Sequence, residues 1–172
     1  DNLKSSLSDF NVIAEDLGDV TNDVINLRDE FQFPGMSILQ FEFEHILKGK
    51  EFPENSIFCT GTHDNDTLLG WIESLSTNDI NSLLQLLNCS IENIHWELIN
   101  YVLKSSSNIA MIPIQDILGE KSSARFNTPG TLSESNWSWK MKKNNLTESI
   151  KSKLLELTIR NQRNRHIINN LN

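Results

Sequence analysis

Two carboxylates stand just after short apolar runs: Glu15 behind Val12-Ile13-Ala14, and Asp64 behind Ile57-Phe58-Cys59-Thr60 with Gly61-Thr62-His63 between. A side chain so placed is held by rigid backbone yet reaches solvent. That suits a general acid, whose proton must be aimed at one oxygen. The competing reading is that a carboxylate here caps the helix that follows, and Asp16 suits that role. On position alone both readings of Glu15 stand.

The second constellation is the polar run Thr60-Gly61-Thr62-His63-Asp64-Asn65-Asp66-Thr67. Polar groups at this density need a satisfying partner, either a ligand rich in hydroxyls or a metal ion. Calcium would use Asp64, Asn65 and Asp66 as oxygen donors, but the spacing of a calcium loop is absent. A plain helix cap is the third reading. No G-x-G-x-x-G, Walker or G-x-S-x-G pattern occurs, which counts against dinucleotide, P-loop and serine-elbow chemistry. Carboxylates brought to one mouth from different strands, Glu15 and Asp64, fit glycosyl transfer.

Short β-prone runs alternate with helical patterns. Strands are predicted at 11–14, 36–43, 56–60 and 108–114. Helices are predicted at 16–30 with Thr21 as cap, 66–73, 77–87 with Thr77 as cap, 91–104, 115–118 and 147–163. Residues 119–143 read as mostly irregular. Strand, loop and helix in repetition, without hairpin signals, imply parallel βαβ units. Parallel strands put functional groups at their C-terminal ends. The polar residues gather there: Glu15-Asp16, Gln40, His63-Asp64-Asn65-Asp66 and Gln115-Asp116.

The 172 residues carry 15 Lys and Arg against 23 Asp and Glu, a net charge of −8. Without concentrated positive charge, no nucleic-acid partner is expected, and the basic stretch 160–166 reads as the exposed face of a terminal helix. No apolar run is long enough to span a membrane, and the first residues carry no secretory pattern, so a cytoplasmic location is expected. Cys59 and Cys89 have no metal spacing and are too few for a disulfide framework. The first methionine is Met36, from which the chain is expected to be a piece of a longer protein.

Five motifs follow one another in order: Ala14-Glu15-Asp16-Leu17-Gly18; Pro34-Gly35-Met36 with Leu39-Gln40-Phe41; Thr60 to Thr67 with Gly70-Trp71; Pro113-Ile114-Gln115-Asp116 with Leu118-Gly119; and Asn127-Thr128-Pro129-Gly130 with Asn136-Trp137-Ser138-Trp139. Together they resemble the 4-alpha-glucanotransferases, glycoside hydrolase family 77, also called amylomaltases or disproportionating enzymes. The resemblance implies an α/β fold in which 1–172 is one partial catalytic domain, the C-terminal half (strands 5–8 with their helices) of a (β/α)8 TIM-type barrel. Its partner would be the N-terminal half of the same barrel. It also implies retaining double displacement on maltooligosaccharides and α-1,4-glucans, with no cofactor and no metal. By motif, Glu15 matches the general acid/base and Asp64 the third carboxylate, which grips donor-site hydroxyls. His63 matches a substrate-binding neighbour, and Asn127 falls in a loop near the acceptor. The nucleophilic aspartate of the family lies upstream of this sequence, so the segment alone is expected to be inactive. A non-catalytic glucan-binding fragment or degenerate relative is the alternative.

Departures from the family pattern are Glu42 after Phe41, Phe126 between Arg125 and Asn127, Lys140 after Trp139, and Cys59 before Thr60, read as a small buried hydrophobe. Trp71, Trp137 and Trp139 are read as packing residues rather than sugar platforms.

Overall fold

The computed structural model describes residues 12–163. Three short runs pair as parallel strands, β1 (Gly35–Ile38), β2 (Ser56–Cys59) and β3 (Ile109–Met111), in the order β1-β2-β3. The register sets Ile38 beside Cys59 and Cys59 beside Met111, so the three strands end level with one another. One further bond continues each ladder: Leu39 N–H donates to the Cys59 carbonyl at 2.8 Å, and Thr60 N–H to the Met111 carbonyl at 3.3 Å.

Helices fill the intervals. α1 (Asn22–Glu30) precedes β1, and α2 (Phe43–Leu47) lies between β1 and β2. Between β2 and β3 run α3 (Leu68–Ser74), α4 (Thr77–Leu87) and α5 (Ile94–Lys104). After β3 come α6 (Ile114–Leu118) and α7 (Glu148–Arg160). Side-chain caps mark three starts: the Thr67, Ser76 and Thr147 hydroxyls accept from Gly70, Asp79 and Ile150 N–H. Each satisfies an amide that the first turn leaves without a partner. α4 stops at Asn88, whose φ of 48° is a left-handed conformation that a short polar side chain tolerates.

The sheet has two apolar faces. Phe58 points to the main core, with Leu68, Ile72, Leu98, Val102 and Leu157 from the helices. It stacks on Phe52 at 4.1 Å between ring centroids. Ile38, Ile57 and Cys59 point the other way, under Leu17 and Met36. Alternation of side chains across a strand dictates this division. On that second face Ile109 and Met111 follow in register, yet remain 40% and 45% exposed.

Several expectations are corrected. No strand forms over the described part of 11–14; Asn11 lies outside the described residues, and 12–17 carries no regular secondary structure. It is tied to the start of the sheet by Ala14 N–H bonding the Pro34 carbonyl, 3.0 Å, and by Met36 N–H bonding Asp16 Oδ1, 2.7 Å. The first helix begins at Asn22 rather than 16, because Gly18 takes a φ of 86° and breaks the backbone there. β1 is shorter than 36–43, since Phe41 and Glu42 N–H both turn back to the Ile38 carbonyl and lead into α2. The cap of α4 is Ser76, not Thr77. In the basic tail, Arg163 is not purely a solvated charge: its guanidinium donates to the carbonyls of Leu103, Ser105 and Ser107 at the end of α5.

Phe58→Ala removes a fully buried ring from the main core and is expected to destabilise the fold by about 3–5 kcal/mol. Leu132→Ala, at a side chain in open solvent, should leave the melting temperature within error. Equal melting temperatures for the two variants would contradict this core.

Candidate active site

Glu15 is positioned by its neighbours. On one side Ala14 bonds to Pro34; on the other, the Asp16 carboxylate accepts Met36 N–H through Oδ1 at 2.7 Å and pairs with Arg28 through Oδ2. Asp16 therefore does not cap a helix. It ties this segment to the start of β1. Gly35 makes this approach possible, because a Cβ there would lie 2.8 Å from Asp16 Oδ2 and 2.7 Å from Arg28 Nη1. Arg28 is held in turn by Asp29, at 2.6 Å and 2.8 Å, and these bonds raise its already high pKa despite its partial burial. Between its two anchors Glu15 stays exposed and lines a cleft of about 240 Å³ with Met36, Thr62, His63 and Pro113.

The loop over residues 60–68 forms the facing wall. Asn65 Oδ1 accepts both Thr62 N–H and the Thr62 hydroxyl at 2.8 Å, closing a tight turn around His63 and Asp64. Gln40, arriving from the end of β1, donates to the Asp66 carbonyl at 2.8 Å. Arg125 donates from Nη2 to the Asp64 carbonyl and from Nε to the Asn127 carbonyl, both 2.8 Å. Asn127 Nδ2 then donates to Asp64 Oδ1 at 2.6 Å. Asp64 keeps 44% of its side chain exposed, and His63 Nε2 lies 3.5 Å from its Oδ1, beyond ordinary hydrogen-bond length. A second cleft of about 280 Å³ continues from Thr62, His63 and Pro113 towards Arg125, Phe126 and Trp139.

The loop does not gather its oxygens as a calcium site requires. Asp64 turns to Asn127, Asn65 to Thr62, and Asp66 to Thr67 N–H and the Ser122 hydroxyl. Among the described residues no group of three His, Cys, Asp or Glu side chains is placed to hold a metal ion.

The tryptophans divide. Trp71 meets Phe43 edge-on at 5.7 Å and belongs to the core, as expected. Trp137 lies 5.1 Å from the His63 ring and meets Phe126 edge-on at 5.0 Å, with 59% of it exposed. It therefore packs, as expected, against His63 and Phe126 while much of it faces solvent. Phe126 is the ring that supports it. Glu42 points away, paired with Lys50 at 2.7 Å and His45 at 2.9 Å.

Sequence reasoning placed Asp116 at a strand end without a role. The structure gives it one. Its carboxylate is 2% exposed, accepting the Thr60 hydroxyl at 2.5 Å and Leu68 N–H at 2.7 Å. Burial raises its pKa; the two hydrogen bonds oppose that, and the nearby charge of Asp66 adds to it. Arg125 was the other omission, since its function lies in reaching backbone 61 residues away.

A family model described as 4-alpha-glucanotransferase matches residues 1–147. The chain belongs to the 4-alpha-glucanotransferase family. It is 40% identical over 153 residues to the 4-alpha-glucanotransferase of Synechocystis sp., covering 86% of this chain and 30% of that protein. The corresponding protein of Streptococcus pneumoniae serotype 4 is 39% identical over 162 residues, covering 91% of this chain and 32% of its own length. Among solved structures, the amylomaltase of Streptococcus agalactiae in complex with acarbose superposes with a TM-score of 0.83 at 31% identity, over 91% of this chain and 32% of that one. The chain thus spans about a third of the length of these 4-alpha-glucanotransferases.

The raised pKa of Asp116 has a consequence for stability. Its proton is held more tightly folded than unfolded, so its favourable contribution is present at low pH and is lost as pH rises through the folded pKa. Asp116→Asn does not titrate and keeps an acceptor for Leu68. Its melting temperature relative to the parent should therefore rise as pH climbs above the ordinary carboxylate range. A difference that is flat or falls as pH climbs would contradict the assignment.

Proposed function

We propose that this chain forms the C-terminal half, strands 5–8 with their helices, of a (β/α)8 barrel that transfers α-1,4-glucan segments between maltooligosaccharides. Support for the half-barrel comes from the level ends of β1 to β3 and from Ile109 and Met111, left half-open beside the buried Ile57 and Cys59. In a closed barrel those side chains fill the interior, and the run at 12–17 gains a neighbour on its free side. The remaining strands would come from the N-terminal half of the same barrel. No helix among the described residues is long and apolar enough to cross a membrane, and we place the protein in the cytoplasm.

The observation that carries the activity is that Glu15 and His63 line one cleft, with Asp64 fixed next to His63 by Asn127 and Arg125. Glu15 protonates the leaving glycosidic oxygen, then takes the proton from the incoming 4-hydroxyl. Its exposure and the two anchors beside it suit a group that must face solvent-derived and sugar-derived oxygens in turn. Asp64 accepts hydroxyl hydrogens of the donor-site glucose, and that interaction strengthens as the ring distorts towards the oxocarbenium-like transition state. The bond from Asn127 leaves Asp64 Oδ2 for sugar. Asn127 and His63 complete the substrate contacts, and Trp137 offers the ring beside them. The nucleophilic aspartate is supplied by a preceding strand, so the chain by itself would bind without turnover.

In the full-length protein, Glu15→Gln should lower transfer at least about 100-fold with oligosaccharide affinity nearly unchanged, since it deletes a proton donor without altering shape. Glucose release from maltotriose measures the first and calorimetric titration the second. Wild-type turnover in Glu15→Gln would remove Glu15 from the reaction. Asp64→Asn is expected to lower turnover by a similar factor, and full activity there would remove Asp64.

A further inference from the structure

The loop that carries His63 and Asp64 leaves the sheet at Thr60 and enters α3 at Leu68. Both of these junctions are bonded to one carboxylate. Asp116 Oδ2 accepts the Thr60 hydroxyl and Oδ1 accepts Leu68 N–H. Thr60 is fully buried, and the carboxylate reaches them from α6, 48 and 56 residues further along the chain. Within the loop the other restraints act at single points: Asn65 on Thr62, Gln40 on the Asp66 carbonyl, Ser122 on the Asp66 carboxylate, Arg125 on the Asp64 carbonyl and Asn127 on the Asp64 carboxylate. None of them spans it.

From this geometry we infer that Asp116 is a positioning residue for Asp64, a buried clamp that fixes the span of the 60–68 loop and so the height of its carboxylate at the mouth of the cleft. The inference rests on the assignment of Asp64 to the site. The clamp is well suited to the task. A carboxylate offers two acceptor atoms at a fixed separation on a planar group, whereas two independent side chains would each retain their own rotamers. Asp116 is 2% exposed and lies beneath the loop at the edge of the second cleft. Burial also keeps water from competing for either bond, which makes loss of one partner costly. The near-contacts around Gly61 agree with a loop packed to a fixed height: a Cβ there would lie 3.1 Å from Gln40 Nε2 and 3.3 Å from Asn65 Cβ. A carboxylate that contributes mainly as the donor ring distorts loses its effect on kcat when it is displaced by a fraction of an ångström, with little change in ground-state binding.

The test uses the full-length protein and compares four variants by steady-state transfer from maltotriose. Asp116→Ala, which frees both junctions, should lower kcat about 100-fold with KM within about threefold of the parent. Thr60→Val, which keeps shape and burial but removes one bond, should lower kcat about tenfold and fold normally by near-ultraviolet circular dichroism. Asp116→Asn keeps the Leu68 bond and can donate to the Thr60 oxygen, so it should restore most of the kcat lost in Asp116→Ala. Asp64→Asn is the reference. If Asp64→Asn has lost turnover while Asp116→Ala and Thr60→Val retain wild-type kcat, the clamp is refuted and the site assignment stands. If Asp64→Asn retains full turnover, the site assignment falls and the clamp with it. A fall in Thr60→Val expressed in KM alone would also overturn the inference, because it would mean altered binding rather than a displaced transition-state contact.

Discussion

The level, in-register ending of three parallel strands is the constraint on which the site depends. Ile38, Cys59 and Met111 lie side by side across the sheet, so whatever follows them emerges at a common height. Gln40, the 60–68 loop and Pro113 all lie within the first few residues past those ends. A slip of one residue in the β2 register would turn Phe58 out of the main core and drive Cys59 into it. It would also move Thr60 off Asp116. The hydrophobic division of the sheet and the geometry of the loop are therefore one requirement, met together.

Around that frame the site is assembled from long-range polar contacts rather than from local structure. Asp16 and Arg28 fasten the segment bearing Glu15 to β1; Arg125 and Asn127 fasten Asp64; Asp116 fastens the loop beneath it. Most of these set a charged side chain against backbone groups; Asn127 instead meets the Asp64 carboxylate with a neutral amide, and Asp116 also takes the Thr60 hydroxyl. Removing one partner leaves a desolvated group without compensation, and this makes such contacts specific in geometry even where their net contribution to stability is small. Glu15, His63 and Trp137 are exposed, and the Asp64 side chain keeps 44% of its surface open. The division between buried anchors and exposed actors is what a preorganised site requires.

How much of this was legible in the sequence follows from where the determining interactions lie. β2 and the helices α3 to α5 were readable because their signals are local, an apolar run and a clean helical period, although the hydroxyl that caps α4 is Ser76 rather than Thr77. The motif order points to the family that the family model matches, and Glu15 and His63 line one cleft. The run at 11–14 was apolar enough to suggest a strand, but strand formation needs a neighbour, and among its described residues Ala14 bonds to Pro34, just ahead of β1. The roles of Asp16, Arg125 and Asp116 were not legible at all. Their partners lie 20, 61 and 48 or 56 residues away, and nothing in the local pattern distinguishes such a carboxylate from a cap or a surface charge. Trp137, read as a packing residue, does pack, edge-on against Phe126 and beside the His63 ring.

The account stands on Glu15 and Asp64 flanking one sugar linkage at the ends of parallel strands. A crystal structure of the full-length protein with an uncleaved maltooligosaccharide bound across the cleft tests this most directly. The account predicts a Glu15 carboxyl oxygen within about 3 Å of a glycosidic oxygen and Asp64 within hydrogen-bond reach of hydroxyls on the glucose at its donor side. A glucan bound with Glu15 facing no glycosidic oxygen, or seated away from Asp64, would contradict it.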